Sequence, residues 1–228
     1  MYKHCSDIFF DLDHTLWDFE KNSAISFQKV FDQMNRSIVL EEFQKVYQPI
    51  NFEYWKLYRE NKISKEKLRY GRLKDSFDRM GVSITDDEIN YISVGYISYL
   101  SHQTHLFPGA VEILNYLNVN YRLHIITNGF SEAQLNKTKA SKIDHFFDCF
   151  IDSEQVGVKK PHPDIFKYAL DKAQVKPEQS VMIGDNLEAD ILGAKAVGFS
   201  CIHYNAHQDP YHEHCPIVDH LTDLKKFF

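Results

Sequence analysis

The rhythm of hydrophobic and polar positions changes twice along this chain. Residues 7–11 form a short run, apolar from Ile8 to Phe10 and ending at Asp11, the pattern of a strand buried on both faces. From about 20 to 101 the apolar positions recur at three- and four-residue steps. Ala24, Phe27, Val30, Phe31 and Met34 follow that spacing, and so do Ile89, Ile92, Tyr96 and Tyr99. It predicts amphipathic helices, with two more over 41–60 and 64–80, and so a block of about four helices. Pro108-Gly109 then resets the texture. A helix with Val111, Leu114 and Leu117 is followed by strand-like RLHIIT (122–127), another helix, FDCFID (147–152), the helix 163–173 and SVMIGD (180–185). A helix over 188–197 ends at Gly198, and FSCIHY (199–204) gives a further strand.

Strands alternating with helices imply parallel pairing through crossover connections, so the expected fold class is α/β with an open parallel sheet. The first strand belongs to the same alternating pattern as 108–228. The helical block is therefore expected as an insertion, with 1–16 and 104–228 forming the α/β domain and 17–103 a helical one. An insertion at that point would lie above the carboxyl end of the first strand, the end at which open α/β sheets bind ligands.

Composition narrows the partners. With 228 residues, 43 % apolar and 25 % charged, the chain has the make-up of an ordinary globular protein. A net charge of −6 argues against a nucleic-acid polymer or an anionic membrane as the partner, so any anion site must be built locally. No apolar stretch is long enough for a signal peptide or a span, and Cys5, Cys149, Cys201 and Cys215 show no CxxC pairing; a cytoplasmic protein with reduced thiols is expected.

The chemistry gathers at the strand ends. Asp11 and Asp13 stand two apart, so if the extended geometry persists their carboxylates face one way and repel, calling for a cation or a shared proton. Thr127-Asn128-Gly129 ends a second strand with a hydroxyl and turn amides. Lys159 and Lys160 precede a proline-rich helix start, and Gly184-Asp185 ends a third strand with Asp190 one turn further on. Singly, each has an ordinary reading as a cap or a solvated charge. Together they place carboxylates, a hydroxyl, amides and an ammonium on one sheet edge, the needs of a Mg²⁺-assisted phosphate site.

DLDHT (11–15), IITN (125–128), KKPHP (159–163) and GDNLEAD (184–190), in that order, resemble the four motifs of the haloacid dehalogenase superfamily of phosphatases. The resemblance implies a Rossmann-like core with a helical cap inserted after the first motif. It implies Asp11 as nucleophile, Asp13 as acid and base, and Thr127, the Asn128 amide and Lys160 as holders of the phosphoryl oxygens. Lys160 is preferred to Lys159 because the motif sets its lysine directly before the proline. Mg²⁺ would be held by Asp11, the Asp13 carbonyl and Asp185, with Asp190 orienting a water or Lys160. His14 departs from the glycine most often found there. A dehalogenase attacks carbon and would leave Asp13 without a task, which favours phosphoryl transfer to or from a small phosphomonoester.

Substrate choice falls to the helical block. DLDHTLWDFEKN and the spacing of NFEYW to LRYGRL resemble the pyrimidine 5′-nucleotidase branch, which points to Asn51, Trp55 and Arg72 as substrate contacts. The competing reading is that aromatics at helical spacing are core. His203, His207, His212, His214 and Cys215 match no familiar zinc spacing and read as a solvated loop. A phosphomutase and a phospho-accepting signalling receiver remain as rivals, since both use the same aspartate chemistry.

Overall fold

The computed structural model describes residues 2, 4–34 and 36–228. The chain forms two compact units, Met1–Phe19 with Thr104–Phe228, and Glu20–Gln103. The first crossing lies at Phe19, beyond the expected cut after residue 16. Trp17 bridges to Leu106 and the Asp18 amide donates to the His105 carbonyl at 3.1 Å, which keeps 17–19 with the sheet.

In the sheet unit, β1 (Asp7–Phe10), β2 (Arg122–Thr127), β3 (Phe147–Asp152), β4 (Ser180–Gly184), β5 (Ser200–Tyr204) and β6 (Ile217–Val218) pair in parallel in the order β3-β2-β1-β4-β5-β6. The chain runs outward from β1 through β2 to β3, then returns to place β4 on the other side of β1. That reversal at β1 and β4 opens the crevice in which such sheets bind ligands. Ile8, Phe9 and Phe10 are wholly buried, as the unbroken apolar run required.

The helical unit takes most of α1 (Phe19–Gln33), with α2 (Leu40–Arg59), α3 (Lys65–Arg79) and α4 (Asp86–Leu100). Local chemistry sets their starts: the Ser64 hydroxyl accepts the Lys67 amide, and Thr85 with Glu88 makes a capping box for α4. Its interior is a stack of rings. Phe27 lies 4.0 Å from Tyr96 and 4.8 Å from both Phe43 and Tyr47, centroid to centroid.

In the sheet unit the remaining helices are α5 (Ala110–Leu117), α6 (Ser131–Ala140), α7 (Ser153–Val156), α8 (Pro163–Ala173) and α9 (Gly193–Lys195). The helix expected over 188–197 begins instead as a π-helix, Leu187–Leu192. Such wide turns are frequent at functional sites, and this one carries Asp190.

Candidate active site

β1 pairing stops at Phe10, and the Asp11 amide still donates to the Ile183 carbonyl of β4 at 2.9 Å. By Leu12 the chain is turning: its carbonyl accepts from Thr15, Leu16 and Trp17, and His14 takes φ 65°. That left-handed conformation is one glycine adopts freely, so His14 costs local strain there. The extended geometry that would align Asp11 with Asp13 does not persist. Each carboxylate instead finds its own lysine.

Asp11 meets Lys160. The ammonium lies 2.5 Å from Asp11 Oδ1 and 2.7 Å from Asp190 Oδ1, and it donates to the Ile126 carbonyl at 2.7 Å. Lys160 is only 2 % exposed and is fixed from behind. Asn128 Oδ1 accepts its amide at 2.7 Å while Asn128 Nδ2 donates to its carbonyl at 2.9 Å, across the cis Lys160–Pro161 start of the α8 loop.

Asp11, Asp185 and Asp190 offer carboxylate oxygens within 4.8 Å of one another, all buried. Gly184 makes room, since a Cβ there would sit 2.3 Å from Asp190 Oδ2. Asp185 accepts from the Thr15 hydroxyl at 3.1 Å and lies 3.1 Å from His207 Nε2, while its backbone carbonyl takes His203 Nε2 at 2.7 Å. Burial, with Asp190 and Asp185 facing it, pushes the Asp11 carboxyl well above the ordinary range despite Lys160. Asp190 is raised by burial and by Asp185. Asp185 is also penalised by burial, but His207, His14 and Lys160 outweigh that and hold it low. Burial alone would discharge Lys160; Asp11 and Asp190 instead raise its pKa.

Three carboxyl groups thus crowd one ammonium in a buried pocket of oxygen donors. That donor set suits a hard divalent cation. Among the described residues this is the one group of three or more acidic, histidine or cysteine side chains so arranged. His203 and His212 face each other at 2.8 Å without completing such a set.

Asp13 meets Lys137, whose ammonium lies 2.7 and 3.0 Å from its two oxygens. Gln134 Nε2 donates to Asp13 Oδ2 at 2.9 Å and to Thr127 Oγ1 at 2.6 Å. Thr127 Oγ1 also accepts the Gly129 amide at 3.1 Å, so both lone pairs are taken and its own proton is left to give. Sequence reasoning missed Gln134 and Lys137, and it left His207 in a solvated loop.

In the helical unit Arg72 Nη1 donates to Asn51 Oδ1 at 2.7 Å. The guanidinium is 2 % exposed, lies 5.8 Å from the Tyr47 ring and 5.5 Å from that of Tyr96, and leaves its Nε unpartnered. Trp55 packs edge-on against Tyr58 at 5.7 Å. The aromatic-core reading therefore holds for Tyr47 and Tyr96.

Comparison with known proteins adds the following. A family model described as Haloacid dehalogenase-like hydrolase matches residues 8–204. Pyrimidine 5′-nucleotidase YjjG of Escherichia coli K12 is 35 % identical over 202 residues, covering 88 % of this chain and 86 % of that protein. Glyceraldehyde 3-phosphate phosphatase of Pyrococcus abyssi is 35 % identical over 201 residues, covering 86 % and 79 %. Among solved structures, the Bacillus subtilis HAD-hydrolase YfnB bound to magnesium superposes with a TM-score of 0.89 at 24 % identity, covering 99 % of both chains, a likeness of fold.

Proposed function

For a chain that belongs to the haloacid dehalogenase-like hydrolases, we propose a Mg²⁺-dependent phosphomonoester hydrolase that works through an aspartyl-phosphate and takes nucleoside 5′-monophosphates or similar small phosphometabolites. The observation that carries it is the convergence of Asp11, Asp185 and Asp190 at the β1–β4 reversal, a buried site in which three carboxyl groups have one ammonium, that of Lys160, among them. No helix among the described residues is long and apolar enough to cross a membrane.

Asp11 attacks phosphorus in line; its oxygen forms the new P–O bond as the bond to the leaving oxygen breaks. Asp13 gives the leaving oxygen its proton. It then takes a proton from the water that opens the aspartyl-phosphate, which releases inorganic phosphate and restores Asp11. Thr127 donates its free hydroxyl proton, and the Asn128 amide donates alongside it, to the phosphoryl oxygens as charge spreads over them, while Lys160 supplies positive charge there and donates as Asp11 turns to the phosphorus. Asp190 holds Lys160 in place. Mg²⁺ would be held by Asp11, Asp185 and the Asp13 carbonyl, and would supply charge neutralisation at the phosphoryl group.

The choice of a nucleotide rests on likeness to a pyrimidine 5′-nucleotidase, because the Arg72–Asn51 pair is itself buried beside the core rings of Tyr47 and Tyr96. YjjG supports that choice, but a glyceraldehyde 3-phosphate phosphatase is also 35 % identical, so both substrates belong in the test. Phosphate release is measured from nucleoside monophosphates, glyceraldehyde 3-phosphate, sugar phosphates and an aryl phosphate. The assay is run with Mg²⁺, with chelator, and with Asp11→Asn. Release that needs both Mg²⁺ and Asp11, greatest for a pyrimidine nucleotide, is expected. A stable phospho-Asp11 with no release from any substrate would overturn hydrolysis in favour of a mutase or a receiver.

A further inference from the structure

Helix α6 begins four residues after the end of β2 and turns Gln134 and Lys137, three positions apart and so on one face, toward Asp13. Neither has a part in the reaction set out above, yet both are buried, Lys137 at 3 % exposure. The Lys137 ammonium lies 4.3 Å from the centre of the Trp17 ring and 5.5 Å from that of Phe19. It reaches both oxygens of one carboxylate. Held at both oxygens, that carboxylate cannot rotate.

The Gln134 amide is oriented by its acceptors. Asp13 Oδ2 and Thr127 Oγ1 both lie within hydrogen-bond reach of Nε2, and the Thr127 oxygen is already accepting from Gly129. Only the NH₂ end can face that pair; turned over, the amide would set an oxygen against a carboxylate. The result leaves Gln134 Oε1 buried with no partner. Gly129 is part of the same arrangement, because a Cβ there would sit 2.2 Å from Gln134 Nε2. A buried ion pair alone is weak evidence of a stabilising role, since apolar side chains of similar size often serve as well. Here the pair grips the proposed acid and base, and Gln134 ties that group to the hydroxyl proposed to hold the phosphoryl oxygens.

We propose that Lys137 and Gln134 are positioning residues that fix the Asp13 carboxylate for proton transfer. The inference rests on the phosphatase reading. Its test separates the two chemical steps with p-nitrophenyl phosphate, whose leaving group needs little protonation, so that Asp13 matters chiefly in the second step. In Lys137→Met, rapid mixing with excess substrate and Mg²⁺ should give a burst of nitrophenolate close to one per active site. Steady turnover should then be slowed about 100-fold, the lower end of what general acid–base catalysis contributes, with kcat/KM within about threefold of wild type. Acid-quenched enzyme should carry phosphate on Asp11. Lys137→Arg should recover part of the turnover, and Gln134→Leu should show the same burst with a smaller slowing.

The burst is counted per active site and kcat/KM is compared on the same sample, so a partly unfolded preparation does not imitate the result. A kcat and kcat/KM that fall together without a burst would overturn the proposal and leave Lys137 a role in folding or phosphate binding. Unchanged kinetics in both α6 variants would overturn it as well. A wild-type protein that releases nothing from p-nitrophenyl phosphate would overturn the phosphatase reading itself, and this proposal with it.

Discussion

The two ends of β1 carry buried aspartates four residues apart, and their surroundings push them in opposite directions. At the entry end Asp7 is wholly buried and fully answered: Ser6 donates at 2.6 Å, Arg122 at 2.8 Å, and His124 Nε2 lies 2.8 Å away. Burial raises its carboxyl, but His124, Ser6 and Arg122 together outweigh that and hold it below its ordinary value. At the exit end Asp11 shares one ammonium with Asp190 and faces Asp185, and its carboxyl is driven up. Burial is common to both; the balance of partners differs. A charge matched by its neighbours can stay buried with nothing further bound, whereas one left in surplus marks a place where something else is meant to bind.

The comparison breaks most visibly on activity. Asp11→Asn should lower phosphate release by about 10⁴-fold or more while leaving the urea midpoint in chelator no lower than wild type, because it removes a charge from a crowded site. Asp7→Asn should leave kcat of the folded protein within about twofold. A divalent cation should also tell the two ends apart. At about 100 times its Kd, Mg²⁺ should raise the melting temperature by roughly 5–11 °C in wild type and in Asp7→Asn. Most of that rise should vanish in Asp185→Asn, as read by calorimetry.

Stability should respond at the other end. Asp7→Asn should cost about 1–3 kcal/mol in urea unfolding, the range for a buried group losing charged hydrogen bonds. The smallest effect is its pH dependence. A carboxyl held low in the folded state binds fewer protons there than when unfolded, so its stabilisation is full above the unfolded value of about 3.9 and is lost as pH falls through the lower folded value. The gap between wild type and Asp7→Asn, followed by urea midpoints from pH 7 to 3, should therefore close at the acid end. A gap that stayed constant would show that Asp7 acts through shape and not charge.

Strand ends were legible in the sequence because a buried parallel strand is an unbroken apolar run, and Asp11, Thr127 and Asp185 stand where such runs stop. The order of motifs then supplied Lys160. The α6 residues were not legible, since SEAQLNKTKA has the look of a solvated helix and its three buried side chains, Gln134, Lys137 and Thr138, are all polar. The signal that existed was positional: a helix opening directly after Thr127-Asn128-Gly129 must turn one face to the same edge. The pairing of Asn51 with Arg72 was hidden differently, because the two residues lie 21 positions apart on separate helices, α2 and α3, and meet only once those helices pack. His207 reaches Asp185 from a loop, where no periodicity fixes direction.

The central place of β1 has a consequence for the order in which the chain is made. Asp7 pairs with Arg122 on one side and with Ser180 on the other, 115 and 173 residues later. At synthesis rates of about 5–20 residues per second, Ile8, Phe9 and Phe10 wait roughly 6–23 s for a first partner strand, and longer for the second. The whole helical segment Glu20–Gln103 emerges in that interval. Newly made chains thus carry an unpaired, sticky strand until β2 emerges, and chaperone demand should track the time to residue 122.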